Sequence, residues 1–229
     1  MKLRIPMGGS QTNQPSMQAP LLSPDGHSWC LLGAGGDVPQ SPHAVVLTGA
    51  HKHHVDGLLD LRAGGPINLY ATPAVFEHLT QALPLLPVLQ QYCGVQWHLI
   101  AVAGDRSQAD FTIVDWPMLQ FTAMTFDRSA SDDGIALAVH DATTDRRLFM
   151  TSASAFGQAD PAWLDDTDCI LLSGPMPSTA GPATHWLDRL AELPPRRKIL
   201  LHAAGDETPL AALAERGIEH AFAGMEIDL

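Results

Sequence analysis

The chain has 229 residues, of which 45% are hydrophobic and 17% charged. That is enough apolar material for one sizeable core, and it excludes a disordered chain. The 13 Lys and Arg stand against 25 Asp and Glu, a formal charge of −12, so phosphate backbones and anionic membranes are repelled and neither nucleic acid nor membrane is an expected partner.

The first residues carry Lys2 and Arg4, but Gly8, Gly9, Gln11, Asn13 and Gln14 interrupt any apolar h-region. No secretory signal is predicted, and the cytoplasm is the expected compartment. Short apolar runs then predict strands over 29–32, 44–47, 67–71, 95–102, 111–114, 119–125, 135–140, 147–151, 169–173, 198–202 and 225–229. Thr72-Pro73 supplies a cap and a first-turn proline for one helix. Others are predicted over 55–62, near 184–192, and from Thr208-Pro209 to Gly217, which suits the left-handed position after a helix. Asp141 to Arg146 reads as a hairpin turn. No apolar run approaches the roughly 20 residues of a bilayer span. Loops at 104–108, 127–133 and 174–182 are candidate walls for a site. The alternation predicts an α/β protein, one domain over 1–229. Cys30, Cys93 and Cys169 stand far apart and form neither a CxxC pair nor a disulfide framework.

The strongest local signal is Thr48-Gly49-Ala50-His51-Lys52-His53-His54-Val55-Asp56-Gly57, directly after an apolar run and before a helical pattern. Strand-to-loop junctions are where α/β scaffolds present chemistry. Clustered neutral imidazoles are metal donors, so this loop is a candidate metal site. The alternative reading is a solvated polar loop. A glycine cluster at Gly33, Gly35 and Gly36 lacks the context of a phosphate loop and reads as a turn.

The Thr48–Gly57 frame resembles the Thr-His-x-His-x-Asp-His-x-x-Gly motif of the metallo-β-lactamase superfamily. His51 and His54 fall on its second and last histidines. Gly49 stands at the first histidine and His53 at the aspartate. Residues 46–64, VLTGAHKHHVDGLLDLRAG, resemble more closely the stretch LLTDAQIDHTTGLLSLREG of the pyrroloquinoline quinone (PQQ) biosynthesis protein B family. Ala71-Thr72-Pro73-Ala74-Val75, Leu83-Pro84-Leu85 and Asp168 to Leu172 continue the likeness. So do RKILLHAAGDETPL (197–210) and ERGIEHAFAGMEIDL (215–229), against the family's RKVLIHINNTNPIL and DGMEI. The chain is identified as a divergent, shortened member of that family. The resemblance implies an αββα sandwich of two mixed sheets flanked by helices, with the histidine loop meeting the segment after His202 at one edge.

The departures are specific. Gln11 to Pro15 stand where the family carries a CxCxxC zinc element. Ala203-Ala204 replace Asn-Asn, and Ala223 replaces the Asp of DGMEI. Ser152, Ala153 and Ser154 stand where the superfamily's acidic bridging ligand is expected.

The resemblance implies metal ligands at His51, His53, His54 and His202, holding one divalent cation, iron or zinc. His202 is otherwise a strand-end histidine bonding a neighbouring loop, and His53 the remnant of a decayed site. Asp127, His185 and Asp206 are candidate site neighbours, since a facial triad ordinarily includes a carboxylate. His27, His43, His78, His98, His140 and His220 are assigned structural or surface roles, and Asp165, Asp166 and Asp168 a solvated connection. The implied function is biosynthesis or handling of PQQ, by metal-dependent hydroxylation of a tyrosine-derived precursor. Two alternatives stay open: a metal-dependent hydrolase, and a non-catalytic paralogue that binds or carries (transports) PQQ, a precursor or a protein partner. The expected partner is a small-molecule or peptide-derived PQQ precursor, and a homo-oligomer is compatible with the sequence.

Overall fold

The computed structural model describes residues 1–6, 19–35, 41–125, 134–156, 159, 161–173, 185–195, 197–201 and 213–229. Among these residues, two seven-stranded sheets face each other. The first contains β1 (Lys2–Arg4), β2 (Leu21–Ser23), β3 (Cys30–Leu32), β4 (Ala44–Val46), β5 (Ile67–Ala71) and β6 (Val95–Leu99). The second contains β7 (Gln108–Thr112), β8 (Leu119–Met124), β9 (Ala136–Asp141), β10 (Arg146–Ser152), β11 (Cys169–Ser173), β12 (Arg197–Leu201) and β13 (Glu219–His220). The last strand, β14 (Glu226–Asp228), crosses back to pair with β1, so the first sheet runs β14-β1-β2-β3-β4-β5-β6 and the second β13-β12-β11-β10-β9-β8-β7. Both sheets are mixed: β3 to β6 and β10 to β13 are parallel, and the other pairings are antiparallel.

Alternation sorts the apolar side chains into three layers, because successive strand residues point to opposite faces. Leu22, Leu32, Val46 and Tyr70 meet Phe121, Leu137, Val139, Leu171 and Ile199 between the sheets. On the outer face of the first sheet, Val45, Leu47 and Leu69 pack under helical residues Val75, Leu79, Leu86 and Leu89. On the outer face of the second, Phe149, Ile170 and Leu200 pack under Phe156, Leu164, Leu187 and Leu190. Fully burying each such side chain stabilises the fold by about 1.5–3 kcal/mol. The result is the αββα sandwich that the resemblance implies.

The helices on the first sheet are α1 (Lys52–Val55), α2 (Pro73–Glu77) and α3 (Leu85–Tyr92); on the second they are α4 (Ala153–Phe156), α5 (Pro161–Asp165) and α6 (His185–Glu192). Thr72 caps α2 as expected, its hydroxyl accepting from Val75 N at 3.3 Å with Pro73 behind it. The helix expected over 55–62 is instead α1 followed by a 3-10 segment, Asp56–Ala63. The amide of Gly57 is diverted to Ala34 O at 2.8 Å, and the buried Leu58 and Leu61 recur at the spacing of three that a 3-10 turn stacks on one face. Helix α3 is an addition to the expected elements; Pro87 sits in its first turn, where no amide donor is needed. The expected helix ending at Gly217 lies partly outside the described residues, but Gly217 takes φ +68 and Ile218 N reaches Leu213 O at 3.0 Å, as a helix end does.

The parallel ends fix where a site can lie. Ile135 N donates to Thr48 O at 2.8 Å, joining the loop after β4 to the start of β9. The start of β9 pairs with the end of β10, Leu137 opposite Met150. The C-terminal ends of β4, β10, β11 and β12 therefore share one end of the sandwich.

Candidate functional site

The loop after β4 is built from the backbone outward. His54 N donates to His51 O at 2.8 Å, and His54 O accepts from Ala34 N at 2.7 Å. Those bonds curl residues 51–54 against the turn after β3, where Gly33 takes φ +87, a conformation open to glycine. Thr48 is buried at the base of the loop. Its Oγ1 lies 3.1 Å from His54 Nδ1. With the ring donating from Nδ1, Nε2 is the nitrogen that carries the acceptor lone pair.

His51 is exposed and His54 half-buried, on one turn. His53 lies between them in α1, and its side chain is outside the described residues; so is that of His185, the first residue of α6. His202, Asp127 and Asp206 lie outside the described residues altogether. Among the described residues, no three His, Cys, Asp or Glu side chains converge as a metal site would require.

Two positions define what the site can hold. A Cβ at Gly49 would stand 3.2 Å from His54 Cδ2, 3.5 Å from its Nε2 and 3.6 Å from Gly134 Cα. The His54 ring thus occupies the space into which a side chain at 49 would project. Ser152 ends β10, opposite Ser173 on β11, which is in turn opposite Leu201 on β12. Its hydroxyl accepts from Ala155 N at 3.2 Å, capping α4. A two-metal centre needs a donor at the first position and an acid at the second. This donor set does not fit one.

The cysteines supply no thiolate. Burial pushes Cys169 up to about 12 and raises Cys30 as well. Other histidines have structural partners. His43 stacks on Trp116 and bonds Val114 O at 2.7 Å, while His98 stacks on Tyr70 and bonds Asn68 Oδ1 at 3.2 Å. Asp168 does more than make a solvated connection: it accepts from Arg146 Nη1 at 2.6 Å and Arg147 N at 2.9 Å. A cavity of about 340 Å³ lined by Gln120, His140, Arg147 and Trp163 lies on the second sheet, toward the hairpin end of β9 and away from the histidine loop. Thr48 and Gly49 are the residues whose roles sequence reasoning missed. Their signal was present, in that both belong to the motif frame, but the contacts with His54 depend on how the ring is turned.

The sandwich, with this loop at the shared strand ends, is that of the metallo-β-lactamase class, and a family model described as a beta-lactamase superfamily domain matches residues 32–203. Coenzyme PQQ synthesis protein B of Pseudomonas syringae pv. tomato is 30% identical over 282 aligned positions, covering 96% of this chain and 90% of the relative. The protein of the same name from Pseudomonas aeruginosa matches with the same identity and coverage. The chain belongs to the coenzyme PQQ synthesis protein B family. The alignment exceeds the 229 residues of this chain, in keeping with a shortened member. Among solved structures, Zn(2+)-bound PqqB from Methylobacterium extorquens superposes with a TM-score of 0.71 at 19% identity, covering all of both chains. The short form of human tRNase Z does so with a TM-score of 0.62 at 12% identity, covering 100% of this chain and 99% of the other. At those identities the two structures speak to the fold alone.

Proposed function

We propose that this chain acts in the biosynthesis or handling of PQQ, on a small-molecule or peptide-derived precursor, in the cytoplasm. The observation that carries the reading is the match to coenzyme PQQ synthesis protein B over 96% of the chain. The three free cysteines accord with a reducing compartment. No described helix is long and apolar enough to cross a membrane.

The histidine loop is the site of that activity. His51, His54 and His202 hold one divalent cation, iron or zinc, with His53 as a further donor and Asp127, Asp206 and His185 beside it. Thr48 orients the His54 ring through the 3.1 Å contact at Nδ1. Such a cation would supply Lewis-acid or redox chemistry, including hydroxylation of a tyrosine-derived precursor when the metal is iron. Ser152 caps a helix where a bridging acid would stand, which argues against a two-metal hydrolase.

A second reading is favoured by Gly49: a loop that has given a ligand position to the His54 ring suits a protein that binds or carries PQQ or its precursor without transforming it. Elemental analysis of tag-free protein separates the two. About one equivalent of iron or zinc in the parent and none in His51→Ala/His54→Ala supports the metal site, whereas no metal in either after reconstitution supports the carrier. Restored PQQ production in cells lacking their own protein B tests the pathway assignment. Production that stays absent with the folded protein present would overturn it.

A further inference from the structure

Four strands end the two sheets among the described residues, and three of them are guarded. Strand β14 exposes Glu226 and Asp228, β7 exposes Asp110, and β13 is two residues long and carries Glu219. Charge and brevity are the usual protections of an open strand edge against pairing with another chain. Strand β6 has neither. It reads Val-Gln-Trp-His-Leu, five residues without Asp, Glu, Lys, Arg or Pro. One row of its backbone donors and acceptors has no partner strand among the described residues.

The uncharged surface extends well beyond the strand. Residues 78–104 contain no Asp, Glu, Lys or Arg, in a chain with 13 basic and 25 acidic residues. This stretch supplies Leu83, Val88, Tyr92, Trp97 and Leu99, five of the seven large hydrophobic residues exposed among the described ones. Val88 and Tyr92 are four apart on α3 and share a face. Trp97 and Leu99 share a face of β6 by alternation. Trp97 is already fixed, stacked on Phe76 at 4.0 Å with its indole N–H donating to Ala71 O at 3.3 Å, so little side-chain freedom remains to be lost on contact.

We propose that β6 and the adjoining face of α3 form a two-fold interface with a second copy of this chain, the two β6 strands pairing antiparallel to join the first sheets. The charge distribution meets what that occupant requires. In a two-fold contact the same patch meets itself, so any net charge on it is repelled by its own image. On a molecule carrying −12, a charge-free edge satisfies that condition. A basic partner would be drawn instead to the acidic surface elsewhere. The inference stands apart from the metal reading, because β6 is the edge strand of the first sheet, two places from β4, after which the histidine loop follows.

Light scattering on the full chain at micromolar concentration is expected to give twice the 24.5 kDa monomer mass. The amides of residues 95–99 are expected to exchange slowly in that species and faster on dilution. Tyr92→Lys/Leu99→Lys changes two exposed side chains and is expected to be monomeric with unaltered circular dichroism. Thr112→Lys, on the β7 edge, is expected to remain dimeric. The proposal is overturned if the parent is monomeric at tens of micromolar, or if folded Tyr92→Lys/Leu99→Lys still dimerises. It is equally overturned if β6 is protected only by a different protein bound to a monomer.

Discussion

The imidazole of His54 lies over Gly49, so that a Cβ at position 49 would meet its Cδ2 at 3.2 Å. The motif that this loop resembles has a histidine at 49, and the related family stretch an aspartate. Here the last histidine of the motif has taken the room of the first position. Gly49→Ala therefore sets two effects against each other. The methyl presses on the ring at Cδ2 and shifts it from its seat, while the unfolded chain loses glycine's freedom, a stabilisation of about 0.4–1 kcal/mol. The expected net change in stability is within about 1 kcal/mol, but affinity for zinc, measured by chelator competition, is expected to fall about tenfold. Unchanged affinity would mean that the ring position does not matter to the site.

Thr48→Val tests the other side of the same ring. Valine keeps the branched shape of a buried residue and removes the oxygen that lies 3.1 Å from Nδ1. With the ring no longer oriented, zinc affinity is expected to fall about 10–100-fold, as losses of such outer partners do. Thr48→Ser, which keeps the oxygen, is expected to retain most of it. Equal loss in both variants would point to packing rather than to the hydrogen bond.

The contrast between strands and site explains what sequence reading reached. Strands β5 and β11 match their expected bounds, Ile67–Ala71 and Cys169–Ser173, because a short, mostly apolar run buried on both faces is a local signal. Strands β1, β2 and β13 were missed because runs of two or three residues are strands only through their neighbours, Leu3 opposite Leu22 and Ile227, and Glu219 opposite Ile199. Helix α3 was missed because Pro84 and Pro87 look like breakers until the helix start is known to lie between them. In the site, the spacing put His51 and His54 on one turn. The ring's seat over Gly49 was not legible, since it depends on distant bonds from Ala34 to His54 and from Ile135 to Thr48.

Acid stability should report on the last parallel pair of the second sheet. Arg197 donates from Nε to Glu219 Oε1 at 2.8 Å and from Nη2 to Oε2 at 2.6 Å, tying β12 to β13. This bidentate bond holds the Glu219 carboxyl below its ordinary value of 4.5. A carboxyl lowered on folding contributes stability above its unfolded value, and that stability is lost as pH falls through the folded value. Between pH 7 and 5 the contribution is complete; below 4.5 it declines. Glu219→Gln is expected to lower the melting temperature at pH 7 and to reduce the further loss on acidification. Parallel melting curves for parent and variant from pH 7 to 3 would show that Glu219 is not the titrating partner. Solvent screening of this half-exposed pair keeps the effect small.

Asp168 is a sharper test of the same sheet, because one carboxylate serves two strands. It sits just before β11, accepting from Arg146 Nη1 at 2.6 Å and from the backbone of Arg147 at 2.9 Å, both at the start of β10. Asp168 O also accepts from Arg197 N at 3.2 Å, at the start of β12. The side chain therefore sets the register from which Leu148 pairs with Cys169. Asp168→Asn keeps the shape but removes the charge, and one of its two polar ends becomes a donor facing donors. A loss of about 1–3 kcal/mol is expected, which for a chain of this size lowers the melting temperature by about 2–4 °C per kcal/mol. Asp166→Asn removes only an exposed partner of Arg147 at 3.2 Å and is expected to cost under about 1 kcal/mol. If thermal melts place the two variants together, Asp168 is a surface charge and not the clamp between β10 and β11.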